Sequence, residues 1–321
     1  MLADRLTIPA DQALTADQLA EQVEAVIAGV ALERSAVDDV DLAEAVETYR
    51  AAGRAALHRQ LERAWFQARV TPTQWTGAEA TFAEQVAPRL DQLGRGRDAW
   101  WFLRKYPDWR LRVRTDDRPA VEALLDDLVA AGAIDRWRPS IYEPETAAFG
   151  GNAGMAIVHD LFCADSRGVL TYSRRPLPGL GRRELSLLLI QALQQHAGLD
   201  WFETGDVFDQ VAHLRPAPAD GDAERIAALA LKLRPLLTAA VNADHPLFTP
   251  AGPAAHAAPW LAAFIQAGQE LGDAATANRL DRGLRATIAQ IVIFHWNRLG
   301  LSAHAQGILA HAVKAATLPR S

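Results

Sequence analysis

The sequence contains a single cysteine, Cys163, so it cannot form an internal disulfide or a cysteine-rich zinc site. Lysine is scarce, and arginine supplies almost all of the positive charge. No apolar run approaches the roughly 20 residues that a membrane-spanning helix needs, and the first residues lack the pattern of an export signal. We therefore expect a protein of the cytoplasm that does not enter a membrane.

Several motifs of cofactor and metal chemistry are also missing. The sequence has no phosphate-binding loop, no dinucleotide-binding fingerprint and no Gly-x-Ser-x-Gly nucleophile elbow. Histidine, aspartate and glutamate do not occur at a spacing that predicts a metal site. The net charge of −6 disfavours a general attraction to nucleic acid. These absences predict a protein without cofactor, metal or nucleic-acid partner.

The periodicity of apolar residues divides the 321-residue chain into three parts. Residues 1–64 are predicted to form an N-terminal helical segment. Residues 65–150 follow the order strand, helix, strand pair, helix, strand, which is typical of a ferredoxin-like, antiparallel-rich sheet. Residues 151–321 are predicted to be mostly helical, with one helix running over Ala274–Leu299. The fold class is therefore α+β, with the sheet-bearing first half of residues 65–321 packed against the helical second half.

The strongest chemical signal is the arginine pattern of WRLRVRT, because residues two apart in a strand share one face. Arg110, Arg112 and Arg114 should form a row roughly 13 Å long. Leu111 and Val113 should point to the opposite side, toward the core. Guanidinium groups grip carboxylates in bidentate fashion, so the row suits an acidic peptide or a glutamyl ester. The alternative is a solvated sheet face whose arginines pair with nearby acids.

Two further clusters hold candidate site residues. The stretch YEPETAAFGGNAGMAIVHDLFCADS places an aromatic-Gly-Gly turn at a strand-to-helix junction, where backbone can approach a ligand closely. Near the C-terminus, a helix carries a histidine, the natural acid or base near neutral pH, beside an aromatic ring and an amide. The candidates in these clusters are Tyr142, Glu143, Phe149, Asp165, Ser166, His295, Trp296 and Asn297. A purely structural role, in a turn or in the core, is the alternative for them.

Three stretches carry a resemblance to a known family: WWFLRKYPDWRLRVRT, YEPETAAFGGNAGMAIVHDLFCADSRGVL and FHWNRLGLS. In this order they resemble the small C-terminal, glutamate-elimination domain of the lantibiotic dehydratases and its stand-alone relatives in thiopeptide pathways. The resemblance runs from about Trp65 to the C-terminus. The second stretch is the most specific, because Tyr-x-x-Glu, Phe-Gly-Gly and Phe-x-x-Asp-Ser follow one another in the family's order and spacing.

The chain departs from the elimination members of that family at two positions. Those members have an arginine before the aromatic-Gly-Gly turn and a histidine just ahead of the Asn-Arg pair, and these residues help to expel glutamate from glutamylated serine or threonine. Here Ala148 stands at the arginine position. The family histidine aligns with Ile293 or Phe294, so His295 is one or two places out of register. A shift of one residue along a helix rotates the direction of a side chain by about 100°. We therefore expect this chain to lack a working set of elimination residues.

This combination resembles the pyridine synthases of thiopeptide pathways, which share the fold. They catalyse a cofactor-free, formal aza-[4+2] cycloaddition between two dehydroalanines of one peptide, followed by loss of water and of the leader peptide. The resemblance implies a precursor peptide with an acidic leader as the partner. Other thiopeptide-modifying enzymes are possible further partners, and a homodimer is left open.

The resemblance also implies roles for the candidate residues. His295 or Tyr142 is expected to transfer the proton of an amide-to-iminol shift. The arginine row, with a contribution from residues 1–64, is expected to bind the leader. Substrate amides would be held by Ser166, Asp165 and Asn297, and substrate or leader would contact Glu143, Phe149 and Trp296; Trp296 and Trp101 are thiazole-contacting walls in one interpretation and core aromatics in the other.

Two other functions remain open on the same residues. A glutamate-elimination enzyme with re-sited catalytic groups would retain His295 and the arginine row. A catalytically inactive domain that binds leader peptide and scaffolds other enzymes is equally compatible with Ala148.

Overall fold

The computed structural model describes residues 15–30, 39–93, 99–176, 179–216 and 218–318. The chain divides into two compact units, residues 1–63 and 64–321. The first unit holds two helices, α1 (Ala16–Ile27) and α2 (Asp39–Arg63). Thr15 starts α1 with a capping box, because its hydroxyl accepts from the Gln18 N–H while the Gln18 side chain accepts from the Thr15 N–H.

A four-stranded antiparallel sheet opens the second unit. Its strands are β1 (Trp65–Pro72), β2 (Ala99–Lys105), β3 (Asp108–Arg114) and β4 (Ile134–Ser140), in the order β2-β3-β1-β4. The connection from β1 to β2 contains α3 (Ala78–Thr81), a π-helical turn (Phe82–Val86) and α4 (Ala87–Leu93), and β3 connects to β4 through α5 (Arg118–Ala130). Each helical connection joins two strands that have a third strand between them, which is the split βαβ order of a ferredoxin-like sheet. The predicted α+β fold class is confirmed.

The two faces of the sheet differ because side chains alternate along each strand. On one face Phe66 of β1 and Leu111 and Val113 of β3 are buried. The ring of Trp109 on this face stacks on Phe82 of the π-helical turn, with centroids 4.1 Å apart. The prediction that Leu111 and Val113 point into the core is therefore correct, and the arginines of β3 lie on the opposite face.

Helices make up the rest of the second unit. A 3₁₀ turn (Thr146–Phe149) leads into the long helix α6, which lies against β2 and α10, while α12 packs on α8 and α9. Among the described residues, none of the helices has the length and apolar character that crossing a bilayer requires. The helices are α6 (Gly151–Ser173), α7 (Arg182–His196), α8 (Trp201–His213), α9 (Ala223–Leu237), α10 (Ala258–Thr276), α11 (Leu284–Arg298) and α12 (Ala303–Thr317), with 3₁₀ turns at Asp220–Asp222 and Ala255–Ala257.

The predicted helix over Ala274–Leu299 is wrong, because the chain breaks between α10 and α11. Asn278 takes a left-handed conformation with φ of 51°, which ends the helical path. The Asp281 N–H then donates to the carbonyl oxygen of Gly150, so the break is fixed against the start of α6. Helix α11 begins only at Leu284.

Candidate functional site

The sheet face opposite Leu111 and Val113, which carries Arg110, Arg112 and Arg114, is called the polar face. A buried arginine lies at its centre. Strand pairing places Arg112 of β3 between Gln67 of β1 and Trp101 of β2. The Arg112 guanidinium lies 4.0 Å from the centroid of a Trp101 ring, and its Nε donates to Gln67 Oε1 over 2.8 Å. Gln67 in turn donates through Nε2 to the carbonyl oxygen of Ile141. The guanidinium is therefore held in one orientation by an aromatic face and a hydrogen-bonded amide.

The charge of Arg112 has no acidic partner in hydrogen-bonding contact among the described residues. The residue is 5% exposed, and burial lowers the pKa of its guanidinium to about 10. Arg112 Nη1 is buried and makes no hydrogen bond to any described residue. Burying a cation without a counter-charge is costly. The group is therefore suited to an oxygen supplied by a ligand, either a carbonyl or a carboxylate.

Tyr142 and His159 form a hydrogen-bonded pair beside this arginine. The Tyr142 hydroxyl lies 2.7 Å from Nε2 of His159 on α6, and the Arg112 guanidinium lies 5.0 Å from the Tyr142 ring centroid. Burial, together with the positive charges of Arg114 and Arg112, lowers the pKa of His159 to about 4. A neutral imidazole at pH 7 can accept the proton of the phenol, so the pair is equipped to move a proton.

Aromatic rings surround the pair. The His159 ring lies 4.7 Å from Trp65 and 6.4 Å from Trp101, measured between centroids. Trp101 also contacts Phe162, one turn along α6 from His159. These rings form apolar walls next to a cation and a proton-transfer pair, and such walls suit flat heterocycles or alkenes.

The aromatic-Gly-Gly turn joins the loop after β4 to α6. Gly150 and Gly151 have φ values of 82° and 84°, a region that glycine enters without steric cost. The ring of Phe149 is 1% exposed and makes edge contacts with Phe162 and Phe294 at 5.4 and 5.1 Å. Phe149 is thus a core side chain in this structure, and its contact with substrate stays a prediction.

A second polar cluster lies inside the helical layer. Asp165 Oδ1 accepts from His295 Nδ1 at 2.8 Å and from Trp260 Nε1 at 2.9 Å, and Asp165 Oδ2 accepts from Arg298 Nε at 2.6 Å. Burial alone would raise the pKa of Asp165, but His295 and Arg298 outweigh it and hold the pKa below its usual value. His295 Nε2 lies 2.9 Å from Ser186 Oγ. Serine, histidine and aspartate therefore follow one another as in a catalytic triad, but all three are fully buried.

The sequence profile described as "Lantibiotic biosynthesis dehydratase C-term" matches residues 65–318. The chain belongs to this family.

Two solved structures share its fold. The tRNA dependent lantibiotic dehydratase MibB from Microbispora sp. 107891 superposes with a TM-score of 0.58 at 20% identity, over 78% of this chain and 28% of MibB. The pyridine synthase TbtD from thiomuracin biosynthesis superposes with a TM-score of 0.56 at 14% identity, over 79% of this chain and 97% of TbtD. The chain thus spans about a quarter of MibB and nearly all of TbtD. No curated protein matches the sequence significantly.

The two positions at which this family member departs from the elimination pattern are apolar and packed. Ala148 is half-buried, and its carbonyl oxygen accepts from Arg282 Nη1 at 2.9 Å. Phe294 stacks on Phe162 with centroids 5.3 Å apart and planes 4° from parallel, and Ile293 is 5% exposed. Neither position carries an acid or a base.

The structure brings together Tyr142 and Arg112 but encloses most other predicted site residues. The roles of His295, Asp165, Ser166 and Trp296 toward substrate stay predictions. Each of these side chains is 0% exposed. The cause is that α11 runs through the interior, with Ile291 to Trp296 all buried. The remaining placements are these: Ser166 Oγ accepts from the Phe102 N–H, Trp296 Nε1 donates to Ser186 Oγ, Asn297 Oδ1 accepts from Gln306 Nε2, Glu143 is exposed, Arg110 is half-buried and Arg114 is exposed.

Sequence analysis missed His159 and Arg298. His159 lies three residues before Phe162 and seven before Ser166, which places all three on one face of α6. A histidine on the buried stripe of a helix is the signal that would have found it. The Arg298 guanidinium lies 3.9 Å from the Phe162 ring centroid, and its Nη1 and Nη2 make no hydrogen bond to any residue that the structure describes.

Proposed function

We propose that the protein is a pyridine synthase of thiopeptide biosynthesis, which joins two dehydroalanines of a linear peptide in a formal aza-[4+2] cycloaddition. Water and the leader peptide then leave, and the macrocycle closes. One observation carries the proposal: the Tyr142–His159 pair lies beside the buried Arg112, among the rings of Trp65 and Trp101. This arrangement combines proton transfer, a cation for a carbonyl oxygen and apolar walls.

The reaction needs the amide that joins one of the two dehydroalanines to the residue before it in its iminol form. The Arg112 guanidinium binds and polarises the amide oxygen through Nη1, which makes no hydrogen bond to any described residue. Tyr142 gives its proton to that oxygen and takes the proton of the amide nitrogen, while His159 holds the phenol through the 2.7 Å hydrogen bond. When water is lost, the same pair gives a proton to the departing hydroxyl and takes the proton of the neighbouring ring carbon. No cofactor enters these steps.

Orientation of the two alkenes supplies much of the remaining rate. Holding reacting groups in register is worth roughly 7 to 11 kcal/mol at best. Trp101, which is 1% exposed, is a core aromatic that supports the site, and Trp65, which is 8% exposed, is the ring that azole rings of the peptide would contact. The buried Asp165, Ser166 and His295 act from the interior by fixing α6, α11 and β2 relative to one another.

Two further observations support this reaction over glutamate elimination. The chain has apolar Ala148 where the elimination members carry an arginine, and apolar Ile293 or Phe294 where they carry a histidine. It also spans nearly all of TbtD, which is a pyridine synthase, but about a quarter of MibB. In this proposal the partner is a precursor peptide with an acidic leader, which Arg110 and Arg114 on the same sheet face bind.

A second candidate function is glutamate elimination from a glutamylated peptide. It is favoured by the guanidinium of Arg112, whose Nη1 makes no hydrogen bond to any described residue and would suit a glutamyl carboxylate. His159 would then take the α-proton of the glutamylated residue, in place of the family histidine.

Mass spectrometry of the purified protein with two substrates tests the proposal. One is a dehydrated, azole-bearing precursor that keeps its leader, and the other is its glutamylated form. Release of leader with a cyclised, water-lost product supports the pyridine synthase. Loss of glutamate alone supports the eliminase, and binding of leader without turnover of either substrate supports the non-catalytic scaffold.

Variants assign the chemistry to the site. Tyr142→Phe keeps the ring but removes the hydroxyl, so we expect turnover to fall by about a hundredfold or more, the usual effect of losing a positioned acid or base. Tyr106→Phe makes the same change at a tyrosine that is 78% exposed and should leave turnover unchanged. Equal turnover of both variants would remove Tyr142 from the mechanism.

A further inference from the structure

A transverse row of arginines crosses the polar face of the sheet. Strand pairing places Arg69 of β1 directly opposite Arg110 of β3 on one side and Arg138 of β4 on the other. Neighbouring strands lie about 4.8 Å apart. Three guanidinium groups therefore project side by side from three adjacent strands, at right angles to the row within β3 that the sequence predicts.

This face has almost no negative charge of its own. The strand positions that share it also carry Lys105, Arg112, Arg114 and Arg136, against one acidic residue, Asp108. Asp108 pairs with Arg138 at 3.5 Å. Arg69 and Arg110 make no hydrogen bond or ion pair with any residue that the structure describes. Like charges directly opposite each other on neighbouring strands are destabilising. A bound anion would therefore reduce the repulsion between these arginines.

We propose that the transverse row of Arg110, Arg69 and Arg138 is a docking surface for an acidic peptide segment. The inference rests on the proposed function, in which Arg110 contacts an acidic leader, and it extends that contact across the sheet to Arg69 and Arg138. Arg110 lies two residues before Arg112 on the same face of β3, a distance of about 6.6 Å along the strand. A peptide whose acidic segment binds the row therefore places its neighbouring residues beside Arg112 and the Tyr142 hydroxyl.

The chemistry of the row favours carboxylates over a nucleic acid. Side chains three or four residues apart on a helix are about 5 to 6 Å apart, close to the spacing of the three arginines. An acidic helix face, or a run of acidic residues, can therefore pair with all three in bidentate fashion. The whole chain carries a net charge of −6, which would repel a long polyanion beyond this one face.

Fluorescence anisotropy with the full chain and labelled hexaglutamate tests the surface, with hexaglutamine as the uncharged probe. We expect hexaglutamate to bind, hexaglutamine not to bind, and binding to weaken as salt rises from about 50 to about 500 mM. Arg110→Gln with Arg138→Gln should weaken binding by about three- to tenfold, since each exposed ion pair contributes a modest share. Arg110→Lys keeps the charge and should therefore lose less affinity for hexaglutamate than Arg110→Gln.

The matched control is Arg225→Gln, which removes one exposed arginine from α9 and should leave the affinity unchanged. Thermal melts of each variant confirm that it is folded. Equal binding by the double variant and the wild type would overturn the proposal, as would no binding of hexaglutamate. A single-stranded RNA that displaces hexaglutamate and binds more tightly would reassign the face to nucleic acid. Because the assay involves no turnover, a failed cyclisation leaves this result intact.

Discussion

Asp165 and Arg298 form a salt bridge with 2.6 Å between Oδ2 and Nε, and neither side chain has any exposed surface. Removing one member of a buried pair leaves an uncompensated charge in the interior, which typically costs about 3 to 5 kcal/mol. We expect Asp165→Asn to lower the free energy of unfolding by that amount in a denaturant titration. Asp165→Leu combined with Arg298→Met should cost less than the sum of the two single changes.

The exposed pair Arg118–Glu122 gives the comparison for this experiment. Its side chains are 59% and 33% exposed, so Glu122→Gln should cost about 0.5 kcal/mol or less. Losses of similar size for Asp165→Asn and Glu122→Gln would contradict the interpretation of Asp165 as the anchor of the buried cluster.

The low pKa of His159 should make stability depend on pH. The pKa is about 4 in the folded protein and 6.5 in the unfolded chain, so the unfolded chain binds more protons between these values. Stability from this group is therefore present above pH 6.5 and is lost as the pH falls toward 4, by as much as about 3 kcal/mol. Denaturant titrations at a series of pH values measure this slope.

His159→Gln should flatten that dependence, because glutamine has no proton to gain in this range. His213→Gln removes a histidine whose side chain is 73% exposed and should keep the wild-type slope. An unchanged slope in His159→Gln would show that other groups cause the acid sensitivity.

Cys163 should be unreactive in the folded protein. Burial raises the pKa of its thiol to about 12, and the residue is 6% exposed. The thiolate is the reactive form, so a disulfide reagent at about pH 8 should titrate no thiol until denaturant is added. Rapid reaction of the native protein would place Cys163 in a part of α6 that opens easily.

Two glycine-to-alanine changes should have opposite effects on stability. A Cβ at Gly154 would lie 1.9 Å from the carbonyl oxygen of Phe149, so Gly154→Ala must displace the aromatic-Gly-Gly turn and should cost about 1 to 3 kcal/mol. A Cβ at Gly53 in α2 meets nothing within 4 Å, and Gly53→Ala should stabilise its helix by about 0.5 to 1 kcal/mol. Thermal melts measure both; a Gly154→Ala variant as stable as wild type would mean that the turn adapts.

Local pattern was enough to predict the sheet and the orientation of β3. Alternation put Leu111 and Val113 in the core, because a strand has only two faces. The same pattern could not show that Arg112 is buried while Arg114 is exposed. That difference depends on Trp101 and Tyr142, which come from another strand and from the loop after β4.

The candidate site was only partly predictable for the same reason. Tyr142 and the arginines follow from short motifs, but the partner of Tyr142 lies 17 residues away on α6. His295 was predicted to be a proton-transfer residue because histidine is the usual proton carrier near neutral pH. Its burial depends on how α11 packs among the other helices, and the sequence of one segment alone does not determine that packing.

Strand β3 interleaves two sets of side chains with unrelated tasks, since Leu111 and Val113 fill the core while Arg110, Arg112 and Arg114 face the other way. Single substitutions can change either set and leave the other in place. A one-residue insertion or deletion within this strand would exchange the two sets, pushing guanidinium groups into the core and exposing its apolar side chains. The strand can therefore diversify by changes in residue identity, but its length is fixed.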